Sequence, residues 1–143
     1  EELLSNGRAA EAAAELKRAL ALHPYPWAQV WLAECLLGTG RSRAALRLLD
    51  LSLKKDPRYA RGLVTRVRAR LALGQASGAL NDASRALKRE PDWAWARYWR
   101  ARCLEALHRR PEAIAELEAA LRFDERFTEA RAALEKLSRT AGR

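Results

Sequence analysis

No stretch of this chain reaches the roughly eighteen consecutive apolar residues of a membrane-crossing helix, although 49% of its 143 residues are hydrophobic. Strict apolar–polar alternation, the mark of a half-buried strand, is also missing. No secretory apolar core is visible. There are two cysteines, Cys35 and Cys103. So few, placed so far apart, read as small buried hydrophobes and not as a disulfide framework, which fits a reducing compartment such as the cytoplasm. The two histidines, His23 and His108, stand alone at helix ends without ligand-spaced partners, so no metal site is expected. Gly38-Thr39-Gly40-Arg41-Ser42 lacks the lysine of a phosphate loop and follows a helix; it reads as a turn. No Ser, Cys or His falls in a nucleophile motif. Neither catalysis nor a cofactor is expected.

What the chain has is a period. Gly7, Gly40, Gly74 and His108 follow at intervals of 33, 34 and 34. A small residue keeps the same beat at Ala12, Ala45, Ala79 and Ala113, and another at Ala19, Ser52, Ala86 and Ala120. Pro24, Pro57, Pro91 and Glu125 close each unit. Each landmark has a local cause. Glycine supplies the positive φ of a tight turn between helices. Alanine lets two helix backbones approach closely. Proline cannot continue a helix, and it biases the residue before it away from α. Between stop and turn lies a further helix in each unit, at residues 26–37, 59–73 and 93–107. In the second of these, Ala60, Leu63, Val64, Val67 and Leu71 form one amphipathic stripe. The fold class is therefore all-α, with each unit a helix, a turn and a second helix. The repeat predicts an elongated stack in place of a globular core.

These landmarks resemble the tetratricopeptide repeat family. The second unit carries Leu32, Ala33, Leu36, Gly40, Ala45, Leu49, Ser52 and Pro57 at the family's offsets. The third carries Leu63, Gly74, Ala79, Ala86 and Pro91, and the fourth Ala101, Leu104, Ala113, Leu117 and Ala120. The resemblance implies an α-solenoid of antiparallel helix pairs, about three and a half tetratricopeptide repeats plus a C-terminal capping helix. We expect a single domain over residues 1–143. It divides into a truncated repeat at 1–24, repeats at 25–58, 59–92 and 93–126, and a capping helix and tail at 127–143. The opening EELLSN reads as the tail of a lost helix. Phe127, Ala130, Leu134 and Leu137 make the apolar stripe by which the last helix would dock, as a cap or, in the alternative, as the first helix of a further repeat. Arg66, Arg70, Arg97 and Arg100 stand where the family packs apolar or small residues. His108 and Glu125 replace the turn glycine and stop proline, which predicts a looser last turn.

In this family the first helix of each repeat lines a concave groove. The resemblance places Trp27 and Trp31, then Arg61, Thr65 and Arg68, then Trp95, Tyr98, Trp99 and Arg102 in it. Trp93, just ahead of those offsets, reads as packing between helices. Trp and Arg are the residue types most enriched at binding hot spots. The expected function is a protein–protein interaction scaffold or adaptor whose groove binds a peptide segment of a partner carrying acidic and apolar side chains. Some tetratricopeptide co-chaperones grip a heat-shock protein tail with a Lys, Asn, Asn, Lys, Arg clamp. Those positions here are Val30, Glu34, Thr65, Trp95 and Trp99, so that ligand is not expected.

The net charge of +9 is uneven. Residues 17–110 hold twenty Lys and Arg against seven Asp and Glu, while residues 112–143 hold six against seven. Such an excess points to an acidic partner or to a solvated face. Two further readings stay open. One is a nucleic-acid-binding solenoid using arginine on phosphates and tryptophan for stacking. The other is a structural segment of a longer scaffold, self-association included. Arg66, Arg70 and Arg100 read as structural, with their stems packed between helices.

Overall fold

The structure, a computed structural model, describes residues 25–141, and ahead of them Gly7, Arg8, Ala10, Glu11, Ala14, Lys17, Arg18 and Ala21, all helical and exposed. The expected truncated repeat, with Ala12, Ala19 and Pro24, lies largely outside the described residues. Gly7 departs from the expected role of a turn residue: it is helical.

Seven helices are bounded in the described residues, which contain no strand: α1 Pro26–Gly38, α2 Ser42–Lys55, α3 Ala60–Ala72, α4 Ala76–Arg89, α5 Ala94–Ala106, α6 Arg110–Phe123 and α7 Thr128–Ala141. None of them is long and apolar enough to cross a membrane. The helices pair as α1 with α2, α3 with α4 and α5 with α6, and α7 docks on α6. Within a pair, small residues set the spacing: Ala45, Ala79 and Ala113 on the second helices are completely buried. Leucines and valines fill what remains, with Val30, Leu49, Leu63, Val67, Leu104 and Leu117 at most 1% exposed. Phe127, Ala130 and Leu137 bury the inner face of the last helix, and Leu134 packs half-buried beside them.

The three turns inside the pairs are the same motif. Gly40, Gly74 and His108 take φ of 77°, 75° and 60°. In each, the following amide donates to a carbonyl five residues back at 2.8 Å: Arg41 to Leu36, Gln75 to Arg70 and Arg109 to Leu104. The expected loosening at His108 is therefore not found, because the backbone bonds that close the turn do not require glycine. They need only a left-handed residue. Histidine bears the strain of that conformation, about 1–2 kcal/mol for a residue with a Cβ. His108→Gly is thus expected to stabilise the protein by about 1 kcal/mol, once the greater freedom of glycine in the unfolded chain is subtracted. A melting curve that moves down instead of up would contradict this. Glu125 likewise costs the last junction little. Asp124 Oδ1 accepts from the Arg126 amide at 3.2 Å, as Asp56 Oδ1 accepts from Arg58 at 3.3 Å. The aspartate, not the proline after it, organises these bends.

An ionic ladder runs through the middle of the stack. Asp82 is fully buried. The Arg66 guanidinium grips it through Nε at 2.9 Å and Nη2 at 2.7 Å, and Arg70 Nη1 donates at 3.0 Å. Arg66 also reaches back to Asp50 at 3.0 Å. One repeat later, Arg100 donates to Glu116 at 2.7 Å and back to Ser84 at 3.2 Å. In both cases the arginine bridges positions 16 residues behind and 16 ahead. The same position is leucine in the outer units, Leu32 and Leu134. Burial alone pulls the Arg66 pKa down; the hydrogen bonds and charges of Asp82 and Asp50 reverse this and leave it raised. Cys103 lies buried beside the ladder, and burial with the Asp82 charge pushes its thiol up to about 12. It stays protonated and unreactive at neutral pH. Both cysteines are free, and Cys35 is only partly buried.

Candidate functional site

Successive first helices pack on one another, α1 on α3 and α3 on α5, with no comparable contact between the second helices of successive pairs. A stack whose one row is tighter than the other curves toward the tight row. The helices α1, α3 and α5 therefore form the inner face, and α2, α4 and α6 the outer.

At the centre of the inner face is an open pocket of about 350 Å³, lined by Glu34, Arg61, Val64, Thr65, Arg68, Trp93 and Trp95. Val64 and Thr65 are its buried floor. The Thr65 hydroxyl donates to the Arg61 carbonyl at 2.8 Å and lies 3.4 Å from Glu34 Oε1, so it positions its neighbours and offers little of itself. Arg61 forks onto Glu34, with Nε to Oε1 and Nη2 to Oε2 both at 3.0 Å. Its guanidinium carbon also lies 5.6 Å from the Trp31 ring centroid. The Glu34 hydrogen bonds raise the Arg61 pKa, outweighing a small loss from burial. Arg61 is thus a neutralised wall and not an open cation. Arg68 differs: it lies 5.8 Å over the Trp99 ring, and no carboxylate of the described residues pairs with it.

The remaining sequence-assigned residues divide. Trp27 and Trp31 are 55% and 50% exposed, and Trp27 stacks on Tyr25 at 6.3 Å. Trp95 stacks on Phe127 and on Tyr98, both at 5.8 Å, and meets Trp99 edge-on at 5.7 Å. Tyr98 and Trp99 are half-buried in that cluster, packed against the core on either side. Arg102 is exposed, with Glu105 at 3.9 Å, and lines no part of this pocket. Arg61, Thr65, Arg68 and Trp95 thus meet at one place; Trp31 joins them through Arg61, Tyr98 and Trp99 through Trp95 and Arg68, and Trp27 and Arg102 stand apart.

Sequence reasoning read Trp93 only as packing between helices, which is half of what it does. It starts α5 in extended backbone and packs against the core around Leu53 and Leu63. Its other face lines the central pocket and two adjoining clefts of about 300 and 370 Å³. A signal was available: Tyr25, Tyr59, Trp93 and Phe127 form an aromatic row at intervals of 34. Among the described residues no three His, Cys, Asp or Glu side chains gather as a metal site would require.

The tetratricopeptide repeat family model matches residues 3–67 and 70–137. Curated proteins yield no match. Among solved structures, the chain is similar to TTC0263, a thermophilic TPR protein of Thermus thermophilus, with TM-score 0.86 and 29% identity over 99% of this chain and 78% of that one. It is similar to the first TPR of Spaghetti (RPAP3) bound to the HSP90 peptide SRMEEVD, with TM-score 0.79 and 19% identity over 84% and 95%. A third is MamA from Desulfovibrio magneticus RS-1, with TM-score 0.83 and 18% identity over 97% and 79%.

Proposed function

The chain belongs to the tetratricopeptide repeat family, and from that premise we propose that its inner face binds a peptide segment of another protein, as an adaptor and without chemistry of its own. The observation that carries this is the central pocket, where Arg68 stands beside Trp93 and Trp95 without a carboxylate partner among the described residues. The ligand then carries one acidic side chain for Arg68, flanked by apolar or aromatic groups for the two indoles. Arg61 does not add a second acid position, because Glu34 already occupies its fork. The adjoining clefts on either side of Trp93 extend the track along the inner edge.

The HSP90 peptide held by the Spaghetti domain is a poor ligand on this reading. At the offsets where co-chaperones carry clamp cations and amides, this chain has Val30, Glu34, Thr65, Trp95 and Trp99. Glu34, paired with Arg61, offers a terminal carboxylate no donor.

Selection from a random peptide library on the immobilised chain tests the proposal. The expected winners pair one Asp or Glu with a neighbouring aromatic or leucine. Arg68→Ala should weaken them about tenfold or more, as the loss of a central charged anchor does. Trp93→Phe should weaken them too while keeping its core contact. Winners that bind Arg68→Ala as tightly as the parent would sink the reading.

A further inference from the structure

We propose that the outer face of α2 and α4 binds double-stranded nucleic acid through its phosphates, independently of the inner groove. The starting point is where the positive charge is left over. On the first helices, Arg61, Arg66, Arg70, Arg97, Arg100 and Arg102 each meet a carboxylate, and Arg68 alone of the sequence-assigned groove cations does not. The inner and intervening surfaces are therefore largely neutralised. The outer helices are not. Arg43, Arg47 and Lys54 on α2 and Lys88 on α4 are exposed, and none has a carboxylate within ion-pairing distance among the described residues. Arg85, whose Nη2 donates to the Pro57 carbonyl at 3.1 Å, adds to the same surface. Of the acidic residues on these two helices Asp50 is held by Arg66 and Asp82 is fully buried, and the exposed Asp56 and Glu90 stand only at their C-terminal ends. The patch stops at α6, where Glu112 and Glu118 are exposed.

The kind of polyanion follows from what the patch lacks. No aromatic residue occurs in α2 or α4. Single strands are held by stacking their bases on aromatic rings, and every tryptophan here lies on the first helices or their junctions. A duplex needs no stacking platform, because its bases already stack on each other. It presents about one phosphate per 1.7 Å of axis. Arg43, Arg47 and Lys54 fall on one helical face spanning about 16 Å, enough to follow a backbone. A protein partner would be anchored by aromatic and apolar contacts, and of these the face offers only Leu51, 52% exposed. Binding is thus expected to be insensitive to base sequence, since phosphate contacts carry none.

The test is fluorescence anisotropy with a labelled duplex of arbitrary sequence, titrated over a series of salt concentrations. The expected result is binding that weakens steeply with salt, with each phosphate contact adding about 0.9 to the log–log slope. Removing four cations together (Arg43→Ala, Arg47→Ala, Lys54→Ala and Lys88→Ala) should flatten that slope by about 3 to 4 and leave the melting curve in place. Arg68→Ala should leave duplex binding unchanged, which separates this face from the groove. Absence of duplex binding at low salt would overturn the proposal. So would equal binding by the four-site variant, or tighter binding of a polyglutamate peptide or of anionic phosphatidylserine vesicles than of the duplex.

Discussion

Alanine at Asp82 is expected to cost about 3–5 kcal/mol of stability, the usual penalty for leaving a buried charge without its partner. Its side chain is fully buried, and two guanidinium groups, on Arg66 and Arg70, converge on it. Both arginines sit where helix–helix packing leaves them little water. Once the carboxylate is gone, Arg66 keeps only the exposed Asp50, and Arg70 keeps only the Gly78 carbonyl. The melting temperature should fall by on the order of 10 °C for a chain of this size. Replacing the whole group with apolar residues of similar volume (Asp82→Leu, Arg66→Met and Arg70→Leu) should recover most of the loss, since ion clusters of this kind return little net energy over hydrophobic packing. Urea unfolding of the three proteins checks both halves. A mild cost for Asp82→Ala alone would show that water reaches the guanidinium groups.

Two arginines two residues apart, on opposite faces of α3, should respond differently. Arg66→Ala removes both close hydrogen bonds to Asp82 and the bridge to Asp50, and about 3 kcal/mol of stability should go with them. Arg68→Ala removes a cation over the Trp99 ring with no carboxylate attached, and stability should change by about 0.5 kcal/mol or less. Its effect belongs to peptide binding. Equal losses of stability in the two variants would undo the division between a structural and a functional arginine.

The architecture was legible because it is periodic. A turn residue, two small positions and a stop repeat at 33 or 34 residues, and each is a local requirement of backbone or packing. The site was legible only in part, because charge partners lie across the stack. Glu34 pairs with Arg61 over 27 residues, so sequence offsets alone counted Arg61 as available. Asp82 is invisible for the same reason: nothing local marks it as buried until Arg66 and Arg70 are placed around it. The second role of Trp93 escapes notice because the rule that it packs is true. One indole face meets the core, and the other meets solvent. His108 shows the reverse error. The substitution of a glycine was visible, but not that the surrounding hydrogen bonds would hold a histidine in the same left-handed turn.

The ladder also bears on how the chain avoids assembling wrongly. A stack of near-identical modules is prone to slippage by one module and to exchange of modules between neighbouring molecules, because each interface resembles the next. Here the interfaces are not equivalent. Leu32 and Leu134 stand where Arg66 and Arg100 stand in the middle. Across the module boundaries Arg66 reaches back to Asp50 but Arg100 reaches back to Ser84, so a slip by one module would take Asp50 away from Arg66 and set Leu134 against Ser84. The arginines thus give each module an address, and the sequence specifies the order of stacking as well as its shape.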